Sequence, residues 1–266
     1  MIDQLWSDQR GTIGLGLERE SSCLQAVLAW SWGSVASWPP LAATTFLTGP
    51  ELAYWDRLVF PGRRLSYLLG RDAAKQAVAA FSGIADPRTF EVAAGVFQQP
   101  VVRGASFLPI GVSIAHCDAV ACAVAFPDEH PMAIDVEPVN DHRAAVMERE
   151  LTSREIRALE AIGCGAIVAR VVGWTAKEAL SKALRCGLTC PCSLLAVARV
   201  VAAEGRVAGE FENFGQYRFE SWIRQGLVLT LVLPRRTRLV VQPAGALQAA
   251  PTRLAPVLRL HEQGAV

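Results

Sequence analysis

The sequence predicts an α+β fold, and three observations carry that prediction. Apolar runs of strand length recur along the chain, two stretches show strong helical periodicity, and the two kinds mix without a regular β-α-β period. Of the 266 residues, 52% are hydrophobic and 19% charged, so the chain can bury a sizeable core and is not of the disordered class. That length suits one large domain or two of half the size.

Taken in order, residues 26–32 and 43–47 read as short strands, with Pro39-Pro40 breaking the chain between them. The tryptophans Trp6, Trp30, Trp32, Trp38 and Trp55 mark core and strand positions. A helix is expected over 64–82, where Leu65, Leu68, Leu69, Ala73, Val78 and Phe81 share one face and Gly83 stops the run. Residues 90–97, 110–115, 119–126 and 132–137 read as strands, the last ended by Pro138. Thr152 and Glu155 have capping-box spacing, so a helix is expected to start there. A second strong helix covers 172–185. Strands follow at 195–201, 217–222, 227–233 and 238–242, with Gly226 in a turn. The division falls near residue 128, giving parts 1–128 and 129–266.

Net charge is +1 and no Lys/Arg run occurs, so no nucleic-acid partner is expected. The apolar stretches 23–47 and 108–126 are interrupted by Pro39-Pro40 and by His116 and Asp118, and no membrane span is expected. Met1 to Trp6 lack the basic residues of a secretory leader. Seven cysteines at irregular spacing, without a C-x-x-C pair, argue for free thiols and a cytoplasmic protein. Cys186, Cys190 and Cys192 lack a nearby fourth ligand for zinc.

Three segments could carry chemistry. In a strand, Asp135 and Glu137 share a face, while Ile134 and Val136 point into apolar packing. Paired carboxylates repel unless a cation or a proton intervenes, which makes them candidates for a hard metal ion; a solvated strand edge carries the same pattern. Glu178 and Lys182 sit four residues apart on one helix face, as metal-site and phosphate groups or as an ordinary surface pair. His116, at a strand end between apolar runs, is either a satisfied core group or a donor to a phosphate oxygen.

In this order and spacing, the segments resemble the 4′-phosphopantetheinyl transferase superfamily. The residues that carry the resemblance are Ile114-Ala115-His116-Cys117, Ala133-Ile134-Asp135-Val136-Glu137 and Trp174-Thr175-Ala176-Lys177-Glu178-Ala179-Leu180-Ser181-Lys182. A fourth segment, Arg64 to Lys75, is similar to the family's R-x-x-F-L-x-G-R-x-A-A-[RK] helix. Length and the His-Cys pair place the resemblance nearest the siderophore-synthase (enterobactin-type) members, whose single chain holds two similar α/β halves as a pseudo-dimer. Ala115, Ala133 and Gln98-Gln99-Pro100 depart from the family pattern.

The resemblance implies coenzyme A as donor, a serine of an apo acyl or peptidyl carrier protein as acceptor, and adenosine 3′,5′-bisphosphate as product. It further implies Mg²⁺, with Mn²⁺ as a substitute, held by Asp135, Glu137 and Glu178. His116 would hydrogen-bond a phosphate oxygen, Lys182 would add positive charge there, and Glu178 would take the serine proton. Arg64, Arg71 and Lys75 would grip the nucleotide phosphates, with Lys177 a lesser candidate. Arg143, Arg149, Arg154 and Arg157 are the expected docking patch for an acidic carrier, and a monomer is expected. The alternative is a protein of the same fold that binds coenzyme A or a carrier without catalysis.

Overall fold

The computed structural model describes residues 8–38, 40–104, 109–203 and 205–242; Trp6 and the leading residues lie outside these. Helices and sheets mix as the α+β expectation requires, in four layers. Two five-stranded antiparallel sheets pack back to back, and one long helix covers the outer face of each.

The first sheet runs β12-β1-β2-β6-β5 and the second β7-β11-β10-β9-β8. In chain order these strands are β1 (Arg10–Arg19), β2 (Ser22–Trp32), β5 (Ile110–Cys117), β6 (Val120–Pro127), β7 (Ala133–Pro138), β8 (Val197–Ala203), β9 (Arg206–Phe211), β10 (Tyr217–Arg224), β11 (Leu227–Pro234) and β12 (Arg238–Val241). A separate hairpin pairs β3 (Phe90–Ala94) with β4 (Pro100–Gly104). The helices are α1 (Pro40–Ala43), α2 (Gly49–Asp56), α3 (Pro61–Ser82), α4 (Asp141–Met147), α5 (Ser153–Glu160) and α6 (Ala166–Ala183).

Period-two alternation builds the layers. Along β6, Val120, Cys122, Val124 and Phe126 face the space between the sheets, while Ala121, Ala123 and Ala125 lie under α3. Those small side chains meet Ala73, Ala74 and Ala77 of the helix, so helix and sheet approach closely. Along β11, Leu227, Leu229, Leu231 and Leu233 enter the inter-sheet core, and Val228 and Val232 face α6. Each such fully buried aliphatic side chain stabilises the fold by about 1.5–3 kcal/mol relative to exposure.

One local expectation fails and one strand goes unforeseen, each for an identifiable reason. Residues 43–47 are not a strand: Ala43 ends α1, and the Thr44 and Thr45 hydroxyls donate to the carbonyls of Leu41 and Ala42, completing a helical turn. β1 escapes a pattern search because Gly11, Gly14 and Gly16 interrupt its apolar run. Gly11 is needed there, since a Cβ would stand 2.2 Å from the Trp30 ring. By contrast, α3 ends at Gly83, at φ 75°, whose N–H returns to the Ala79 carbonyl.

One arrangement of side chains occurs twice. Glu51, 2% exposed, accepts from Thr48 N–H at its helix start, from the Val92 N–H, and from Lys75 Nζ at 2.9 Å. Glu155, 1% exposed, accepts from Thr152 N–H, from the Val197 N–H, and from Lys177 Nζ at 2.9 Å. In both cases a capping-box glutamate ties a short helix to the long helix and to the next strand. The last described strand, β12, pairs with β1, across the division expected near residue 128.

Candidate active site

The second sheet sets the acids. Ile134 and Val136 on β7 enter the inter-sheet core, which leaves Asp135 and Glu137 on the face that α6 covers. Thr230 of β11, opposite Asp135, shares a buried hydroxyl chain with Thr175 of α6 at 2.6 Å and Ser221 of β10 at 2.7 Å. That chain fixes the helix on the sheet. Glu178 and Lys182, one and two turns further along α6, are thereby brought over the acids.

Lys182 Nζ donates to Asp135 Oδ1 at 2.7 Å, while Asp135 Oδ2 is buried with no hydrogen-bond partner among the described residues. Arg143 Nη1 donates to Glu137 Oε2 at 2.7 Å, and Glu137 Oε1 accepts no hydrogen bond among the described residues. Glu178 is half-buried, and its carboxylate makes no hydrogen bond or ion pair among the described residues. Burial, and then the Asp135 charge, push the Glu178 carboxyl above the usual carboxylate range, against the pull of Lys182. The same two causes push Glu137 up to about 7, with Arg143 opposing and Glu178 adding to the rise. The three acids therefore sense one another.

Their chemistry fits a hard divalent cation: three carboxylates, each with an oxygen no other group uses, in a partly desolvated setting. Among the described residues, no three His, Cys, Asp or Glu side chains are already drawn around one point. Lys182 and Arg143 balance two of the acids in the arrangement seen here.

The first sheet contributes from across the seam. The Ile134 N–H donates to Ser113 Oγ of β5 at 3.2 Å, which joins the two sheets beside the acids. His116 lies three residues further along β5, at its exposed end. Partial burial, followed by the positive charges of Lys182 and Arg63, holds its ring below the ordinary histidine value. A ring N–H of this imidazole can donate to an acceptor in either protonation state. A cleft of ≈ 480 Å³ opens at this seam, bordered by Phe97 and Gln99 of the β3–β4 hairpin, Ser113, Met132, Glu178 and Lys182.

Residues 131–232 match the family model of the 4′-phosphopantetheinyl transferase superfamily. That span takes in Asp135, Glu137, Glu178 and Lys182, and leaves His116 and the α3 arginines outside it. No curated protein matches the chain.

Several expected phosphate contacts are engaged elsewhere. Lys75 is 1% exposed and bonded to Glu51 and to the Pro87 and Phe90 carbonyls, so in this structure it is a buried, fully engaged cation. Lys177 is likewise buried against Glu155 and the Glu150 carbonyl. Arg64 stacks 3.7 Å over the Trp55 ring and donates to the carbonyls of Trp55, Asp56 and Leu58, which closes the end of α2. Arg71 lies over the Tyr67 ring at 4.6 Å, with its Nε 3.9 Å from Glu51.

In the expected docking patch, Arg143 and Arg154 are tied to acids of the chain, whereas Arg149 and Arg157 are exposed. Arg63, beside Arg64 in the chain, is exposed at the start of α3, and its charge is among those that hold the His116 ring low.

Proposed function

We propose that the protein transfers the 4′-phosphopantetheine arm of coenzyme A to a serine hydroxyl of an apo carrier protein. The observation that carries this reading is the 2.7 Å bond from Lys182 of α6 to Asp135 of β7, with Glu137 on the same strand face and Glu178 one helix turn before Lys182, inside the span that matches the superfamily.

Asp135, Glu137 and Glu178 would hold Mg²⁺, or Mn²⁺ in its place, through the oxygens that Lys182 and Arg143 leave unused. Such an ion supplies charge neutralisation on a diphosphate, which together with positioning is most of what phosphoryl transfer requires. Lys182 places an ammonium beside Asp135, where phosphate charge would accumulate. His116 would offer a ring N–H to a phosphate oxygen from the opposite sheet. Glu178 would accept the serine proton, directly or through a water molecule. Arg63, exposed at the start of α3, would support the donor phosphates there, a role that the resemblance implied for Arg64, Arg71 and Lys75.

The repeated Glu–Lys arrangement supports the pseudo-dimer reading, with 1–128 and 129–266 as similar halves. On that reading the halves would meet at the cleft, whose lining comes from both sides of residue 128. Arg149 and Arg157 are the exposed cations left for an acidic carrier.

The test is to incubate the chain with coenzyme A, Mg²⁺ and apo carrier proteins and weigh the carriers. A gain equal to the phosphopantetheinyl arm, lost on chelation and in Glu178→Gln, is expected. Coenzyme A binding without any carrier mass change would leave only the non-catalytic alternative.

A further inference from the structure

Arg143, on α4, holds two acids from different layers at once. Its Nη1 donates to Glu137 Oε2 and its Nη2 to Asp118 Oδ1, both at 2.7 Å. Asp118 belongs to the two-residue turn between β5 and β6, two residues beyond His116, and adopts φ 43°, so the turn presents its side chain from a left-handed backbone. The guanidinium thus bridges the strand of the paired acids and the strand end that carries His116.

We infer that Arg143 is a positioning residue, which orients the Glu137 carboxylate for a divalent cation and pins the His116 turn to it. The inference rests on the proposed metal role of Glu137. Two features separate this from a surface ion pair or a docking contact. A planar guanidinium with two fixed donors can hold two carboxylates in one geometry, which a single ammonium cannot. The bonded Glu137 is 19% exposed and Arg143 36%, so this bond is partly shielded from solvent, while Asp118 at the other end is 62% exposed.

The charge balance also fits. Asp118 offsets the guanidinium, so the pair adds orientation at Glu137 with little net positive field to oppose a dication. One Glu137 oxygen is fixed by the bond, and the other remains available.

The experiment titrates Mn²⁺ alone into the full chain by calorimetry and by electron paramagnetic resonance, comparing wild type with Arg143→Met, Arg143→Lys and Asp118→Asn. Loss of a residue that orients a ligand weakens metal affinity by about 10–100-fold, and that range is expected for Arg143→Met. Arg143→Lys should recover part of it. Asp118→Asn should weaken binding in a way that added salt reduces, because it leaves the guanidinium charge uncompensated.

The KM for the carrier should stay near wild type in Arg143→Met. Equal or tighter Mn²⁺ binding in Arg143→Met would overturn the inference, as would an effect confined to carrier KM. A wild-type chain that takes up no Mn²⁺ would sink the metal reading of Asp135, Glu137 and Glu178 together with this one. Wild-type uptake that the variant leaves unchanged would sink this one alone.

Discussion

Lys177 Nζ lies 2.9 Å from Glu155 Oε1, with 0% and 1% of the two side chains exposed. Lys177 precedes Glu178, so the residue beside the proposed base anchors the helix that presents it. Removing one partner of a buried pair strands the other charge in the core. Lys177→Ala is expected to cost about 3–5 kcal/mol, read from urea denaturation, and Lys177→Met combined with Glu155→Leu to restore part of it. Lys75→Ala should cost a similar amount in the first half, since Glu51 is as deeply buried. A change below about 1 kcal/mol, the range of an exposed pair, would contradict this account.

Glu137 titrates high in the chain without metal, up to about 7, mainly through burial and then the Asp135 charge. Its folded value exceeds the unfolded one, so its contribution to stability is full below the unfolded pKa and is lost as pH rises through about 7. Glu137→Gln keeps a neutral side chain at every pH. It should therefore be the more stable protein at about pH 8 and nearly equal to wild type at about pH 4. Mn²⁺ affinity of the wild type should rise between about pH 6 and 8, because a ligand must lose its proton. Superimposable stability curves for the two proteins would remove the raised carboxyl from consideration.

Arg64 and Arg63 should separate cleanly. Arg64→Ala removes three bonds to carbonyls and the stack on Trp55, and is expected to cost about 1–3 kcal/mol of stability with coenzyme A affinity unchanged. Arg63→Ala should leave stability alone and weaken coenzyme A by about tenfold in calorimetric titration, a loss of ~1.4 kcal/mol. The reverse pattern would return the phosphate role to Arg64.

Gly173 lets α6 approach its neighbours. A Cβ there would stand 2.7 Å from Leu159 Cδ1 and 2.9 Å from Leu151 Cδ2. Alanine at this position gains helix propensity but overpacks the contact, and a net loss of about 1–3 kcal/mol is expected by thermal denaturation. A stabilised variant would show that the leucines yield without strain.

The parts of this structure legible in the sequence are those in which one periodicity governs a whole element. The alternation of Ile134 and Val136 with Asp135 and Glu137 gave the face of the acids, and the i, i+4 spacing of Glu178 and Lys182 gave their shared helix face. Thr152 and Glu155 announced α5. Thr48 and Glu51 carry the same spacing at the start of α2, where Gly49-Pro50 between them is a turn-like pair that also suits a helix start.

Residue type was a poorer guide to partners. Lysines and arginines near a phosphate motif were expected at phosphates, yet Lys75, Lys177 and Arg64 meet carbonyls and buried carboxylates across long sequence separations. Nothing local encodes such a partner. The Arg143–Asp118 bond, 25 residues apart in the chain, was hidden for the same reason.

β12 closes the edge of the first sheet: Val240 stands opposite Gly16, and Arg238 is ion-paired with Glu18. A ribosome must therefore release almost the whole described chain before β1 acquires its outer neighbour. Until then the nascent N-terminal sheet carries a row of unmatched amides and carbonyls, open to pairing with another chain. A chaperone that shields strand edges would find its target here, early in synthesis and far from the cleft.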